Sequence, residues 1–410
     1  MKTEITNVNI SILFYDELDD LGGSVTIDKT KLSAIITANT SSPIVFMNSK
    51  PSDELEDLGE VGLDTDATKL YAGKNTVANT IYIYTKGKAT IYTPEDSSYL
   101  FGTKSANKIP SIDLSILNTS KTTNMNHIFS YCSTLTELDI SNFDTSSVTD
   151  MSYMFYMCSK LATLKYNLNM NKVTNTHSMF SGCKVIKVLK LPNIPLTTDT
   201  VSMFENCKAL TTLNTEAIDL VNVGSVGSMF LNCAALNTIT LYASNSIKIN
   251  NMSNMFSGCT TLTTITYKDD MNISNFSTAK VTNMSSMLQN CKALTLCPFL
   301  NNLDVASCTN ISRMFLECNS LTAIVLQSSG SYARVQSMMY AFYNCSKATS
   351  IHLKFKLDGV DTSNGFKDAF TGCSAIQKIE AINEDNVTML NNNAESAGIP
   401  DGITVYSSEL

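Results

Sequence analysis

Residues 154–161 read Met-Phe-Tyr-Met-Cys-Ser-Lys-Leu, and this stretch decides the fold because its pattern, Met-Phe-x-x-Cys-x-x-Leu, recurs along the last two-thirds of the 410-residue chain. Clear copies begin at Met179, Met203, Met229 and Met255. Ten copies, some of them degenerate, place a cysteine at the same position: Cys132, Cys158, Cys183, Cys207, Cys233, Cys259, Cys291, Cys318, Cys345 and Cys373. Successive cysteines lie 24 to 32 residues apart. A repeat of this length is typical of a solenoid built from stacked units.

Each repeat unit combines a strand pattern with a helix-like pattern. Residues 138–140, Leu-Asp-Ile, alternate apolar and polar side chains, which predicts a strand with one buried face. Apolar residues at three- and four-residue spacing from Val148 to Phe155 then predict a short helix, which Thr149 or Asp150 could cap. The sequence therefore predicts an α/β repeat of strand, turn, short helix and return, with a parallel β-sheet along the stack.

The repeated cysteines are predicted to be structural. Stacking places equivalent side chains about 4.8 Å apart, which makes the cysteines an internal ladder of small buried groups. Side chains that point the same way have poor geometry for a disulfide, so we expect free thiols. The three histidines, His127, His177 and His352, occupy different positions in the repeat. We therefore expect no metal and no cofactor.

The best repeats resemble a known family. Residues 142–155, Asn-Phe-Asp-Thr-Ser-Ser-Val-Thr-Asp-Met-Ser-Tyr-Met-Phe, closely resemble the repeat of BspA-like leucine-rich-repeat proteins, and residues 280–287 are a further match. The resemblance covers about residues 96–381 and weakens after Cys291, and in that copy Leu288 replaces the phenylalanine. It implies a right-handed parallel solenoid. Members of that family are mostly bacterial surface proteins that bind host proteins or other cells, and similar repeats occur in phage structural proteins.

We predict three regions. Residues 1–95 read as a small β-rich domain, with strands at 25–27 and 44–46, an acidic loop or short helix at 53–57, and a hairpin that pairs 81–85 with 88–92. This domain could be an attachment module, a cap for the first repeat, or both. Residues 96–381 form about eleven repeats. Residues 382–410 form a C-terminal cap with a closing strand at 399–406.

Several functional classes are disfavoured by composition and motifs. The net charge is −8 and the chain has only two arginines, so nucleic-acid binding is not expected. No stretch approaches the roughly 20 apolar residues of a membrane span, so no membrane insertion is expected. The sequence contains no GxSxG, P-loop, HExxH or GxGxxG motif of the usual enzyme classes. We therefore predict that the chain is not an enzyme.

The outward strand residues are the predicted binding face, because the long sheets of repeat proteins commonly bind partners. A solvated strand face with no ligand is the alternative. Tyr166, Tyr242 and Tyr267 could stack on glycans, and the longer repeat around 268–272 is a second candidate contact, although a neutral insertion would look the same. The candidate binding residues are Asp139, Lys165, Tyr166, Lys190, Asn214, Thr240, Thr266 and His352.

These features favour a structural or binding protein. The leading hypothesis is a phage virion decoration or fibre component that adheres to a host-cell protein or glycan through the solenoid and joins other virion or surface proteins through its N-terminal domain. The expected lack of a leader and anchor, the β-rich N-terminal module and the free thiols of a reducing compartment motivate it. A bacterial cell-surface adhesin expressed without its leader and a cytosolic protein-binding scaffold are the alternatives. Self-association into a homo-oligomer is also considered.

Overall fold

The computed structural model describes residues 23–39, 42, 44–47, 55–63, 68–85, 89–194, 199–214, 218–242, 248–268, 277–295, 298–301, 303–330 and 334–408. The chain divides into two compact units, Met1–Lys187 and Val188–Leu410. Each unit contains consecutive coils of a parallel β-solenoid, so the predicted solenoid class is confirmed. None of the helices in the described part of the chain has the length and apolar character needed to cross a bilayer.

The first unit stacks its coils through short parallel strands. Strands β7 (Leu117–Asn118), β8 (Glu137–Ile140) and β9 (Thr163–Tyr166) belong to successive coils. Strand β8 pairs with β9 in register, so that Leu138 lies opposite Leu164. The strands repeat at equivalent positions because each coil presents the same alternation of buried and exposed side chains to the next.

The second unit has the same pattern, with strands of two to five residues. Its strands are β10 (Val188–Leu189), β11 (Thr212–Leu213), β12 (Thr238–Tyr242), β13 (Thr264–Lys268), β14 (Ala323–Gln327), β15 (Ser350–Lys354), β16 (Lys378–Ala381) and β17 (Thr404–Ser407). They form parallel sheets in the orders β10–β11, β12–β13 and β14–β15–β16–β17. A short 3₁₀ helix (Leu220–Asn222) and helices α2 (Pro298–Asn301), α3 (Glu384–Asn392) and α4 (Ala394–Ala397) lie between these strands.

The N-terminal part of the first unit contains two sheets. Strands β2 (Ile44–Met47), β5 (Thr80–Thr85), β4 (Leu70–Asn75) and β3 (Leu55–Glu60) form one sheet in that order. Strands β1 (Gly23–Thr26), β6 (Ala89–Tyr92) and β7 form the other, and helix α1 (Lys29–Ala38) follows β1. Because β6 pairs in parallel with β7, this second sheet leads directly into the solenoid coils.

The predicted hairpin between residues 81–85 and 88–92 is wrong. Strand β5 pairs instead with β4 in an antiparallel hairpin and with β2 in parallel, whereas β6 pairs with β1 and β7. The alternation in β6 reflects burial against the first solenoid coil rather than pairing with the strand before it. The acidic segment predicted at 53–57 is also different, because residues from Leu55 onward form strand β3 and residues 53–54 lie outside the described chain.

No helix forms where the repeat pattern predicted one between Val148 and Phe155. The backbone makes consecutive turns, with left-handed φ angles at Tyr153 (56°) and Met157 (58°) that an α-helix excludes. The amide of Phe155 donates to the carbonyl of Met179 in the next coil at 2.9 Å, and the neighbouring amide of Met154 donates to Met151 in its own coil at 3.2 Å. The amides therefore alternate between bonds within a coil and bonds to the next coil.

Aromatic stacking fills the centre of each unit. In the first unit Phe101, Phe129, Phe155 and Phe180 stack with ring centroids 5.6, 5.8 and 5.2 Å apart. All four are fully buried. Phenylalanines of the second unit repeat this arrangement, with 5.5 Å between Phe204 and Phe230 and again between Phe230 and Phe256. Each coil thus covers the apolar face of its neighbour, which a single coil could not bury alone.

The C-terminal end of the second unit is closed by α3, α4 and β17. The side chain of Asn386 in α3 donates to the carbonyl of Phe355 at 2.7 Å and accepts from the amide of Leu357 at 3.1 Å. In the last coil before this cap, the backbone amides of Asp368 and Phe370 donate hydrogen bonds to the carbonyls of residues 396 and 397 at the end of α4. The closing strand expected within residues 399–406 is β17, which pairs in parallel with β16.

Candidate functional site

A shallow groove lies on the strand face of the first unit. Its volume is about 430 Å³, and it is formed by three consecutive coils at residues 111–115, 137–142 and 163–165. The lining residues are Ser111, Ile112, Asp113, Ser115, Glu137, Leu138, Asp139, Ser141, Asn142, Thr163 and Lys165. Two of the predicted binding residues, Asp139 and Lys165, are therefore brought together in one concave surface.

Asp139 and Lys165 form the charged centre of the groove. They are register partners in β8 and β9, and Lys165 Nζ lies 3.5 Å from Asp139 Oδ2. Asp139 Oδ1 also accepts from the hydroxyl and the amide of Ser141, at 2.5 and 3.0 Å. The hydrogen bonds from Ser141, followed by the positive charge of Lys165, lower the pKa of the Asp139 carboxyl. A fixed carboxylate and an adjacent ammonium thus face the same opening.

Tyr166 does not belong to this surface. It follows Lys165 in β9 and is register partner of Ile140, and successive strand residues point to opposite faces of the sheet. Tyr166 is therefore directed away from the groove that Lys165 lines, and it is only partly exposed. The prediction that these two residues share one binding face is not matched by the geometry.

The predicted residues of the second unit lie along its own strand face. Lys190 and Asn214 directly follow β10 and β11, and Asn214 Nδ2 donates to the carbonyl of Leu191 at 2.8 Å. Thr240 and Thr266 are register partners in β12 and β13, and their hydroxyl oxygens are 2.8 Å apart. Much of the hydrogen-bonding capacity of Asn214, Thr240 and Thr266 is therefore used within the protein. The insertion at 268–272 lies outside the described residues after Lys268.

His352 is the centre of a polar cluster near the end of the second unit. Its Nδ1 contacts Glu380 Oε2, and its Nε2 lies 3.1 Å from the Ser350 hydroxyl. The hydroxyl of Tyr406 lies 3.5 Å from the same oxygen of Glu380. Ser350 and Tyr406 are absent from the predicted binding face. The only sequence signal for Ser350 is its position two residues before His352, which puts both side chains on one face of β15.

A second aromatic ladder, which the repeat pattern did not indicate, lies on the turn side of the first unit. The ring of His127 is sandwiched between Tyr99 and Tyr153, with 4.3 Å between ring centroids on each side. Burial lowers the pKa of His127, although the nearby Asp150 opposes this shift. Because these rings stack on one another, their faces are covered, and the ladder is a packing feature rather than a glycan platform.

The repeat cysteines lie inside the coils. All ten are buried with free thiols, as is Cys308, whereas Cys297 lies outside the described residues. Burial raises the pKa of Cys183 and of Cys259 to about 12. The described residues contain no group of three or more His, Cys, Asp or Glu side chains that could hold a metal ion.

A family model described as "Mycoplasma protein of unknown function, DUF285" matches residues 97–192, 198–321 and 245–354. These matches span well over half of the chain and coincide with the coils of both units. The chain belongs to the DUF285 family. The search of curated proteins returned no match to this DUF285 chain. A repeat solenoid in the DUF285 family fits a structural or binding repeat protein.

Proposed function

We propose that this DUF285 chain is an adhesion protein that presents the strand face of its coils to a protein or glycan on another surface. The observation that carries the proposal is the groove around Asp139 and Lys165. Both side chains are well exposed, at 52% and 69%. Hydrogen bonds from Ser141 hold Asp139, and the ion pair with Asp139 holds Lys165. Such a surface can bind a ligand without any reaction taking place.

The shape of the groove favours an extended ligand. It crosses three coils whose strands are about 4.8 Å apart, so a bound chain would contact the protein over roughly 10 Å. The groove offers carboxylate and hydroxyl acceptors together with one ammonium donor. A short glycan or an extended peptide segment presents the complementary hydroxyl, amide and charged groups at this spacing.

We propose that the chain is displayed on a virion, as a decoration or fibre component. Two observations support this location: its repeats resemble BspA-like repeats, which also occur in phage structural proteins, and its buried free thiols suit assembly in a reducing compartment. In this proposal the N-terminal part contacts other virion proteins, and self-association is a further expectation. A bacterial cell-surface adhesin is the second candidate, which the resemblance to bacterial surface proteins favours.

Binding is tested on arrays of glycans and of host-surface proteins. The wild-type chain is compared with Asp139→Ala and Lys165→Ala, and with Lys292→Ala as the matched control. Lys292 forms a similar ion pair between coils, 3.0 Å from Glu317, and is not among the residues that line the groove. We expect binding that both groove variants lose and the control keeps. Equal binding by all four proteins would place the contact elsewhere, and no binding by any would favour a solvated strand face.

Location is tested with an antibody against the chain. Gradient-purified phage particles and surface-biotinylated cells from the source culture are probed in parallel. The virion proposal expects the chain in the particles at constant stoichiometry. Recovery only in the biotinylated fraction would support the cell-surface adhesin, and recovery only in the cell lysate would support the intracellular scaffold.

A further inference from the structure

The cluster around His352 has a geometry that differs from the rest of the strand face. Ser350 and His352 are on β15, and Glu380 is the register partner of His352 on β16. Ser350 is 8% exposed, and the side chains of His352 and Glu380 are 20% and 16% exposed. These polar groups are thus largely withdrawn from water yet still open on one side.

The contact with Glu380 fixes the tautomer of the neutral imidazole. A carboxylate only accepts hydrogen bonds, so His352 Nδ1 carries the proton that faces Glu380 Oε2. His352 Nε2 is then the acceptor, and the Ser350 hydroxyl, 3.1 Å away, donates to it. The result is a hydroxyl hydrogen-bonded to a basic nitrogen whose ring is oriented by a carboxylate. This relation of nucleophile, base and orienting group activates serine in acyl-transfer sites on unrelated folds.

Two further residues lie next to the cluster, one beside Ser350 and one beside Glu380. Lys378 is its register partner on β16, so an ammonium group shares the face on which negative charge would develop. Tyr406, on β17, is the register partner of Glu380 and lies 3.5 Å from the oxygen that holds the imidazole. The charge on Lys378 can stabilise an anion near Ser350, while Tyr406 helps to hold Glu380 in place.

We propose that Ser350 is an activated nucleophile that accepts an acyl group from an ester, a reactivity additional to binding. In the first step Ser350 Oγ bonds to the ester carbonyl carbon, and its proton passes to His352 Nε2. The bond from that carbon to the alcohol oxygen then breaks, and the alcohol leaves with the proton from His352. Water attacks the acyl-serine by the same route, which releases the carboxylic acid and restores the serine.

The test uses the full chain and a small alkyl fluorophosphonate, with adducts located by peptide mass spectrometry. We expect one adduct on Ser350, none on that peptide in Ser350→Ala, and labelling at least about 100-fold slower in His352→Gln. Ser312→Ala is the matched control, because Ser312 is 7% exposed and its hydroxyl partner, 2.7 Å away, is Ser337 instead of an imidazole. The control should label as fast as the wild type.

A second readout covers the case in which His352→Gln unfolds. Wild-type labelling is measured in the native chain and in urea. We expect Ser350 to be labelled only in the native chain, because the pairing of β15 with β16 holds the imidazole and its orienting carboxylate in place. No adduct on Ser350, or an adduct that forms equally fast in His352→Gln or in urea, would overturn the proposal and leave the cluster as a structural network.

Discussion

The thiol of Cys158 donates a hydrogen bond to the carbonyl oxygen of Phe129 in the preceding coil, with 3.1 Å between sulfur and oxygen. The same bond joins Cys259 to the carbonyl of Phe230 at 3.1 Å. The repeat cysteine therefore does more than fill space, because its S–H gives a second hydrogen bond to a buried carbonyl of the neighbouring coil. That carbonyl also accepts from a backbone amide of its own coil, as Phe129 does from Cys132 at 3.2 Å. An alanine or a valine at this position would leave that acceptor without its thiol donor.

Thiol reactivity follows from this burial. The native chain at pH 8 should react with an aromatic disulfide reagent at no more than one thiol, that of Cys297, and should release the remaining equivalents only in denaturant. The reason is that Cys183 and Cys259 are buried and their pKa is raised to about 12, so little thiolate forms. A Cys297→Ser variant provides the blank. Rapid reaction of most thiols in the native chain would contradict the buried ladder.

The same shifts predict an alkaline limit to stability. The folded-state pKa of Cys183, Cys259 and Cys373 is about 12 against an ordinary value of 9.0, so the unfolded chain loses these protons first. Their contribution is complete below pH 9 and is lost between pH 9 and 12, at roughly 1.4 kcal/mol per thiol per pH unit. Urea unfolding at pH 7, 8, 9 and 10 should show a steep fall above pH 9. A flat profile would contradict the shifts, and Cys259→Ala should reduce the slope.

The left-handed residues of a coil should tolerate β-branched side chains less well than the residues beside them. Asn290 has φ 61°, which a β-branched residue adopts poorly, so Asn290→Val should lower the free energy of unfolding by about 1–2 kcal/mol. Gln289→Val, one residue earlier and outside the left-handed region, should change it by less than half as much. Chemical denaturation of both variants beside the wild type measures the difference. Equal losses would indicate that side-chain contacts decide the cost.

The C-terminal cap gives a local prediction. Asn386 is 4% exposed and bonds both the carbonyl of Phe355 and the amide of Leu357, so Asn386→Ala should cost about 2–3 kcal/mol by leaving both groups buried without this partner. Hydrogen exchange at Leu357 should accelerate, whereas the exposed Asn391→Ala in the same helix should change nothing. Unchanged exchange in Asn386→Ala would mean that water replaces the side chain at no cost.

Much of the solenoid was predictable because it rests on two short periods. The two-residue alternation of Leu138 to Ile140 and the recurrence of the cysteine gave the strand positions and the stacking of equivalent residues. The pairing of Asp139 with Lys165 follows from their equivalent places in consecutive repeats. Residues at equivalent positions of consecutive repeats come into contact when the coils stack. This part of the groove could therefore be predicted from the sequence.

The turn segment was predicted as a helix because its apolar spacing fits two structures. A left-handed residue every four positions, as at Tyr153 and Met157, brings the apolar residues inward at nearly the spacing of a helical face. The sequence does carry one signal against a helix. The residue immediately before each repeat cysteine has a left-handed backbone conformation. It is glycine or asparagine in most repeats: Gly182, Asn206, Asn232, Gly258, Asn290, Asn344 and Gly372. Such residues do not favour a continuing helix.

The cluster at His352 could be predicted only in part. Glu380 has the same place in its repeat as His352, so their contact follows from stacking, as it does for Asp139 and Lys165. Ser350 and Tyr406 have no such signal, because the register partners of Ser350 are Ala323 and Lys378 and because Tyr406 belongs to the closing strand β17. A polar side chain that occurs in one coil alone gives no evidence of its partner in the sequence.

The alternation of amide bonds within and between coils has a genetic consequence. Each coil meets the next through the same backbone donors, acceptors and left-handed residues, so a segment from one repeat cysteine to the next begins and ends in the same conformation. Recombination between misaligned repeats of the gene would add or remove a whole coil while the joints on either side stay intact. A gene of this kind can therefore change the length of the strand face by one coil in a single inheritable step.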